Sequence, residues 1–404
     1  MGYLVEVQFF NTFILRSEVT NTVYIEESRI KGGFNEPSVS IGPKAHLHDE
    51  NYAETRRDNA LIYSGVYNSR TDVNRTNVFN SSEPITRAVD PSNGSIQKLH
   101  AEDTNLNIFQ EDKVSYALID KDALFTAEGG RLTASGAAVI GQIVPYLGKY
   151  GISKNPESFA IKGMRKYFAD KNRAAIIRLS RDGITEISRA GMRDFFKDNL
   201  KTANKIVGAY DDHADEYVVS IQNNDGTYET LSYDETSKGW VSFYDYGPDF
   251  GFSLNKDFYT IHKGNVYKQY ANNDFNKFYG LSFPSTVTLV ANAQPNMVKN
   301  FNAITYEGSD VWEVNSALTD LGQLAVRIEK STSTMTGDIL PKFVKKENKY
   351  YSYIMNNDTS DGGGQVVGVS NAGIKGFFST VKMSGFSEDE IELFDVSHNV
   401  VESS

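Results

Sequence analysis

The 404-residue chain contains no cysteine, which removes disulfides, thiolate metal sites and cysteine nucleophiles together. A chain of this size is then expected to be held by packing, by oligomer contacts or by a non-thiol metal, and to fold in a reducing cytoplasm. Long apolar runs are missing as well. No stretch approaches the roughly eighteen apolar residues of a membrane span, and the opening residues have no basic segment ahead of an apolar core. Neither a spanning helix nor a signal peptide is therefore expected. Positive charge is in deficit, with 41 Lys and Arg against 52 Asp and Glu, a net charge of -11 and a pI near 5.2. The basic residues are scattered among acids, which argues against a protein whose task is to grip phosphate backbones. A phosphate-binding Gly-Lys-Ser/Thr loop, a Gly-x-Ser-x-Gly elbow and a His-Glu-x-x-His helix are also lacking, and with them the chemistries those motifs perform.

What the chain does have is aromatic and turn-forming residues: 23 Tyr, 24 Phe and 32 Gly at 40% hydrophobic content. That balance suits strands and turns better than helices and leaves room for a large core. The pattern is densest between Asn204 and Tyr270. There Lys205–Tyr210, Glu216–Ile221, Tyr228–Asp234, Gly239–Tyr246, Gly251–Leu254, Phe258–Ile261 and Asn265–Tyr270 alternate with Asp-, Asn- and Gly-rich connections. Short β-rich runs separated by such connections predict up-and-down antiparallel strands.

An echo lies upstream. Phe168–Asp170, Ala174–Ser180, Asp182-Gly183, Ile184–Ile187 and Gly191 align loosely with Tyr210-Asp211, the 216–221 run, Asp225-Gly226, the 228–233 run and Gly239. The offset is 41 residues at the aspartates (170 to 211), 43 at the Asp-Gly turns (183 to 226) and 48 at the later glycines (191 to 239). A fainter copy spans Gln97 to Ala127. Four-stranded units recurring at such spacing predict β-propeller-like blades, the competing reading being unrelated meanders in a β-sandwich.

In chain order, Leu4–Phe10, Thr12–Leu15 and Val23–Glu26 read as strands, with no flexible leader expected ahead of them, and residues 30–94 as long loops with short strands. His46-Leu-His48-Asp49 has two imidazoles on one strand face, but no further histidine cluster completes a tetrahedral set, so an exposed polar loop is expected rather than a metal site. From Asp120 to Gly151 small residues dominate, which predicts close backbone approach inside the fold or at a subunit contact. Met192, Phe195, Phe196, Leu200 and Ala203 fall on one side at three- and four-residue spacing, predicting a helix within Gly191–Lys205, although a strand and short turn fit as well. Beyond Tyr270, runs at 285–290, 299–306, 311–314, 324–328, 349–354, 366–369, 377–383 and 391–396 predict a C-terminal β-sandwich. The working division is 1–94 as an N-terminal β and loop segment, 95–280 as propeller-like repeats and 281–404 as the sandwich.

Certain passages carry a family resemblance: Arg29-Ile-Lys-Gly-Gly33, Leu61-Ile-Tyr-Ser-Gly65 with Asn68-Ser-Arg-Thr71, Glu111-Asp-Lys-Val114, Gly151-Ile-Ser-Lys-Asn-Pro-Glu-Ser-Phe159, Arg178-Leu-Ser180 and Gly239-Trp-Val-Ser-Phe243. They resemble passages in large virion structural proteins of tailed phages, of which the propeller-bearing tail nozzle or muzzle proteins of short-tailed phages are the nearest analogues. The resemblance implies a virion component assembled in the host cytoplasm, in several copies around the tail axis. Its partners would be copies of itself and other virion proteins, with transient contact to genomic DNA. Because such proteins extend further at the N-terminus, it also implies a fragment, a processed form or a truncated relative.

For chemistry the sequence points to none. Asp211-Asp212, Asp215-Glu216, Asp245 and Asp249 sit where Asx turns are expected, and a propeller glycoside hydrolase would need two carboxylates converging at a channel. A receptor- or glycan-binding adhesin is the stronger alternative, since Phe243-Tyr-Asp-Tyr-Gly-Pro-Asp-Phe250 suits sugar stacking. No catalytic residue, cofactor or metal is expected. The residues expected to matter are structural: Trp240 and Phe243 for packing between blades, and Asp170, Asp211, Gly183, Gly226 and Gly239 for turns.

Overall fold

The computed structural model describes residues 12–16, 23–27, 29–31, 57–65, 67–80, 85–102, 105–125, 131–333, 341–357 and 373–403. The chain is mainly β and divides into two compact units, Met1–Asn265 and Val266–Ser404. The early strands are short: Thr12–Arg16 pairs antiparallel with Val23–Glu27, and Ala60–Ile62 with Thr86–Ala88. The expected strand at 4–10, the His46/His48/Asp49 passage and the expected strand at 366–369 lie outside the described residues.

The first unit is built from consecutive antiparallel meanders. The first contains β1 (Ile96–Glu102), β2 (Asn105–Gln110), β3 (Val114–Phe125) and β4 (Arg131–Pro145). The second contains β5 (Ala160–Lys162), β6 (Arg165–Asp170), β7 (Ala175–Ser180) and β8 (Gly183–Glu186). The third contains β9 (Lys205–Asp211), β10 (Glu216–Gln222), β11 (Tyr228–Asp234) and β12 (Gly239–Tyr244). A further hairpin, β13 (Phe250–Leu254) with β14 (Asp257–His262), follows.

Successive side chains of a strand point to opposite faces, and here both faces are apolar and covered. On β6, Phe168 packs towards Phe109 and Val114 of the first meander and Ile152 of the segment that follows it, while Tyr167 and Ala169 join a cluster with Tyr210, Tyr217, Val219 and Leu231 of the third. On β9 and β10, Ala209 and Val218 turn the other way, onto Phe258 of the hairpin. The first meander uses its far face, Ile108, Ala117 and Ile140, against Leu61 and Val89. The sheets are thus stacked face to face in chain order. Each fully buried aromatic or aliphatic side chain in these layers contributes about 1.5 to 3 kcal/mol relative to exposure.

Two connections position the stack. The helix α1 (Arg193–Asn199) links the second meander to the third, as its spacing predicts, with Phe196 and Leu200 fully buried and Met192 and Phe195 partly buried against the same cluster. At seven residues it has too few turns to persist alone and is held by this packing. The second connection, Gly151–Phe159, brings the turn Pro156–Ser158 so close to β9 that a Cβ on Gly208 would lie 2.0 Å from the Ser158 carbonyl oxygen. Glycine is required there by that approach.

The second unit contains a sheet in the order β15 (Ser285–Ala291), β21 (Ser379–Gly385), β17 (Trp312–Thr319). Its other large sheet is centred on β16 (Lys299–Gly308), which pairs with β19 (Lys349–Tyr353), β20 (Ile374–Gly376) and β22 (Leu393–Glu402), while β18 (Val344–Lys346) extends β19. One apolar cluster joins the two sheets, taking Phe301, Ile304 and Tyr306 from β16, Trp312 and Val314 from β17, and Val381 and Met383 from β21.

Candidate functional site

The densest polar constellation of the first unit runs through its turns and between its sheets. Asp170 ends β6 and is fully buried. Its carboxylate accepts from the Arg173 amide at 3.0 Å, the Gly151 amide at 3.1 Å, the Ser153 hydroxyl at 3.1 Å and Arg173 Nη1 at 3.1 Å. The same Nη1 donates to Asp112 at 2.9 Å, so one arginine joins a hairpin tip of the first meander to a turn of the second. Asp211 ends β9 and accepts from the amides of His213 at 2.8 Å and Ala214 at 3.2 Å. Asp234 does the same at the end of β11, with Thr236 at 2.8 Å and Ser237 at 2.9 Å.

These three turns share one design. An Asp at the strand end accepts from amides two or three residues on, and the fifth residue takes a left-handed backbone: Ala174 at φ 53°, Asp215 at φ 61°, Lys238 at φ 52°. Gly239 itself has no positive φ; the left-handed position belongs to Lys238. Gly183 and Gly226 do occupy it, at φ 101° and 84°, in the tight hairpins β7–β8 and β10–β11. In the strand order, Asp170 stands between the second and third strands of its meander and Asp211 between the first and second of the next. The echo in the sequence therefore pairs like turns that sit one strand out of step.

Charged groups bridge the sheets. Tyr167 donates to Glu235 at 2.7 Å and Arg178 donates to the other oxygen of Glu235 at 3.0 Å, tying the second meander to the third. Burial, then the Glu235 carboxylate, drives the Tyr167 hydroxyl far above its ordinary range. Its ring stacks on Tyr217, 4.8 Å between centroids, and the Tyr217 hydroxyl donates to the Ser158 carbonyl at 3.0 Å. Between the first and second meanders, buried Lys166 is paired with Glu102, which also accepts from Asn107 at 3.0 Å. Burial alone would raise the Glu102 carboxyl, but the Lys166 and Asn107 donors outweigh it and hold it low. Tyr146 donates to Asn107 at 2.8 Å, and burial pushes its hydroxyl up to about 12. All these carboxylates are engaged by donors within the chain.

Trp240 lies on β12, half-buried, with its indole N–H donated to the Ile187 carbonyl at 3.1 Å and its ring 4.6 Å from Phe196 and 5.4 Å from Tyr233. It therefore clamps α1 onto the sheet. Phe243, on the same strand, is 59% exposed and touches only the edge of the Phe195 ring at 5.4 Å among the ring contacts of the described residues. A cleft of about 660 Å³ opens beside the first meander, lined by Asp90, Gln110, Asp112, Lys113, Lys149 and Arg173 among others. Among the described residues no group of three His, Cys, Asp or Glu side chains is arranged to hold a metal ion, and no helix is long and apolar enough to cross a membrane.

Sequence reasoning passed over Gly208, Tyr167 with Tyr217, and the Lys166–Glu102 pair. Tyr167 had a signal, since Tyr167-Phe168-Ala169 is a continuous apolar run of the kind a strand covered on both faces shows. Gly208 had none, because nothing local distinguishes it from other strand glycines.

Comparison with known proteins follows the same division of the chain. Residues 45–264, more than half of the chain, match the family model described as Crassvirus muzzle protein, and residues 273–357 match that of the Crassvirus muzzle protein C-terminal domain. The muzzle protein of Bacteroides phage crAss001 is 23% identical over 248 residues, which is 58% of this chain and 17% of that relative. The matched part thus spans under a fifth of the relative's length.

Proposed function

We propose that this chain, which belongs to the Crassvirus muzzle protein family, is a non-enzymatic structural component of the phage tail, assembled around the tail axis as part of an oligomeric ring through which DNA passes. The observation that carries the reading is the family match laid over successive meanders stacked face to face in chain order. Stacked four-stranded meanders are how propeller blades and ring walls are made. On this reading residues 95–280 form propeller-like blades and 281–404 a β-sandwich, behind the segment 1–94. Its partners are copies of itself and other virion proteins, met during assembly in the host cytoplasm. A net charge of -11 suits a conduit, whose wall must not hold the phosphates that slide past it during ejection.

The test is an image of the virion at low resolution with this chain labelled. Label on the tail axis is the expected result, and label on the capsid surface or absence from purified particles would remove the proposal. A second reading, a receptor- or glycan-binding adhesin, draws on the exposure of Phe243 and Phe250, at 59% and 47%. Binding on a glycan array that is lost on Phe243→Ala, with unchanged melting, would favour it.

A further inference from the structure

The cleft beside the first meander is polar inside and basic at its exposed rim. At about 660 Å³ it lies within the range of about 300 to 1,000 Å³ usual for ligand sites. Two of its lining side chains, Gln110 at the end of β2 and Ser115 on β3, are only 1% and 5% exposed. The Gln110 amide nitrogen donates to the Asp90 carbonyl at 2.9 Å and the Gly94 carbonyl at 2.8 Å. Both of its protons are thereby engaged, and the amide oxygen is the end left for the cleft. Neither that oxygen nor the Ser115 hydroxyl has a hydrogen-bond partner among the described residues. Side chains this deeply buried normally have their polar atoms paired, so two left open on one cleft suit a polar occupant.

The rim carries Lys113, Lys149 and Arg173 beside Asp90 and Asp112. Arg173 is paired with Asp112 and Asp170, and Asp90 caps Ser92. Lys113 and Lys149 have no carboxylate partner among the described residues; Lys113 donates to the Gly148 carbonyl at 2.6 Å. In a chain of net charge -11, two ammonium groups at one opening without a counter-charge favour an anionic occupant. No aromatic side chain lines the cleft, so neither a base nor a sugar ring has a face to stack on. The two aspartates among the cations also oppose a continuous phosphate backbone. Next to the rim stands Leu147, 94% exposed, in a loop tied down on both sides. The Tyr146 amide donates to the Val114 carbonyl and its hydroxyl to Asn107, while Lys113 holds Gly148. A bare leucine on a fixed loop offers apolar area that a polypeptide can cover and an inorganic anion cannot.

We propose that this cleft binds an acidic peptide segment of a neighbouring virion protein. A carboxylate lies between Lys113 and Lys149, a main-chain N–H donates to the Gln110 oxygen, and an apolar side chain covers Leu147. The inference rests on the assembly part of the proposed function and adds the chemistry of one contact. Acid on one partner and cleft on the other make a heterologous contact, which a ring around an axis can repeat.

Fluorescence anisotropy with the full-length protein at low salt tests it with two labelled peptides. One has the sequence of residues 386–392, which contains the chain's single run of three consecutive acids, Glu388-Asp389-Glu390, all exposed. The other is an unrelated peptide of glutamate and leucine. Saturable binding is expected, weakened about tenfold by Lys149→Glu and weakened also by Leu147→Ser, with melting unchanged because both positions are exposed. Binding by the 386–392 peptide supports the proposal with a second copy as the source of the acid, and binding by the unrelated peptide alone supports it with a different virion protein. No saturation by either peptide, equal binding after their acids are replaced by amides, or unchanged affinity in Lys149→Glu would each overturn it. So would displacement by inorganic phosphate or oligothymidylate at a concentration equal to that of the peptide. Absence of the protein from purified particles would sink the virion role and leave peptide binding untouched, so the two failures are distinguishable.

Discussion

Single residues differ more in consequence than their sequence context suggests. Asp170 and Asp225 look alike in the chain, each an acid at a turn. The structure buries Asp170 under donors from Gly151, Ser153 and Arg173, while Asp225 is exposed and serves only Thr227. Asp225→Ala should lower the urea midpoint only slightly, as for an exposed cap that serves one amide. Asp170→Ala should cost more, about 1 to 3 kcal/mol for each buried donor it leaves unmade, the Gly151 amide and the Ser153 hydroxyl, while Arg173 keeps Asp112 as a partner. Urea midpoints of the two variants check the ranking, and equal losses would contradict it. Gly208→Ala should cost about 1 to 3 kcal/mol through overpacking against the Ser158 carbonyl, with a larger loss in midpoint than Gly226→Ala, whose cost is confined to the left-handed strain at φ 84° because nothing stands in the way of its Cβ. The turn acids were legible in the sequence because Asx chemistry is local. Their burial was not, because it depends on the 151–153 segment arriving from another sheet.

Among the elements, legibility followed chemistry in the same way. The strands of the third meander could be read residue by residue from their aromatic and β-branched content, and α1 from its spacing. The strand β4 could not, since Thr133-Ala-Ser-Gly-Ala-Ala138 has neither bulk nor alternation, and its place is fixed by pairing along β3. The sequence echo found matching turns and slid one strand, because turn residues recur wherever a hairpin closes. The clamp of α1 onto β12 through Trp240 is where these elements can be tested. Trp240→Phe keeps an aromatic beside Phe196 and loses the indole bond to Ile187, so it should cost about 0.5 to 1.5 kcal/mol. Trp240→Ala should cost about 2 to 3 kcal/mol, below the range for a fully buried aromatic. Thermal melting monitored by circular dichroism separates these values, and a neutral Trp240→Ala would show that the helix is held without it.

At the scale of the whole chain, the two units have separate apolar clusters and, by composition, one tryptophan each, Trp240 in the first and Trp312 in the second. Each unit also holds a histidine that burial makes harder to protonate. His398 on β22 is edge-on to Phe301 with Nε2 buried and unbonded, and its pKa is lowered by burial. His100 on β1 is lowered first by burial and then by Lys166. For both, the unfolded chain binds the proton more readily than the folded one, so the stability they confer is complete above about pH 6.5, the ordinary histidine value, and is lost as pH falls below it. Fluorescence unfolding of Trp312→Phe therefore reads the first unit through Trp240, and Trp240→Phe reads the second through Trp312. Both transitions are expected to move to lower denaturant between about pH 7.5 and 5. Adding His398→Gln should flatten that pH dependence for the Trp312 transition alone, and adding His100→Gln for the Trp240 transition alone. One shared transition, or a histidine substitution that flattens both, would mean that the two clusters unfold as a single cooperative body and that the proton linkage belongs to the chain rather than to either unit.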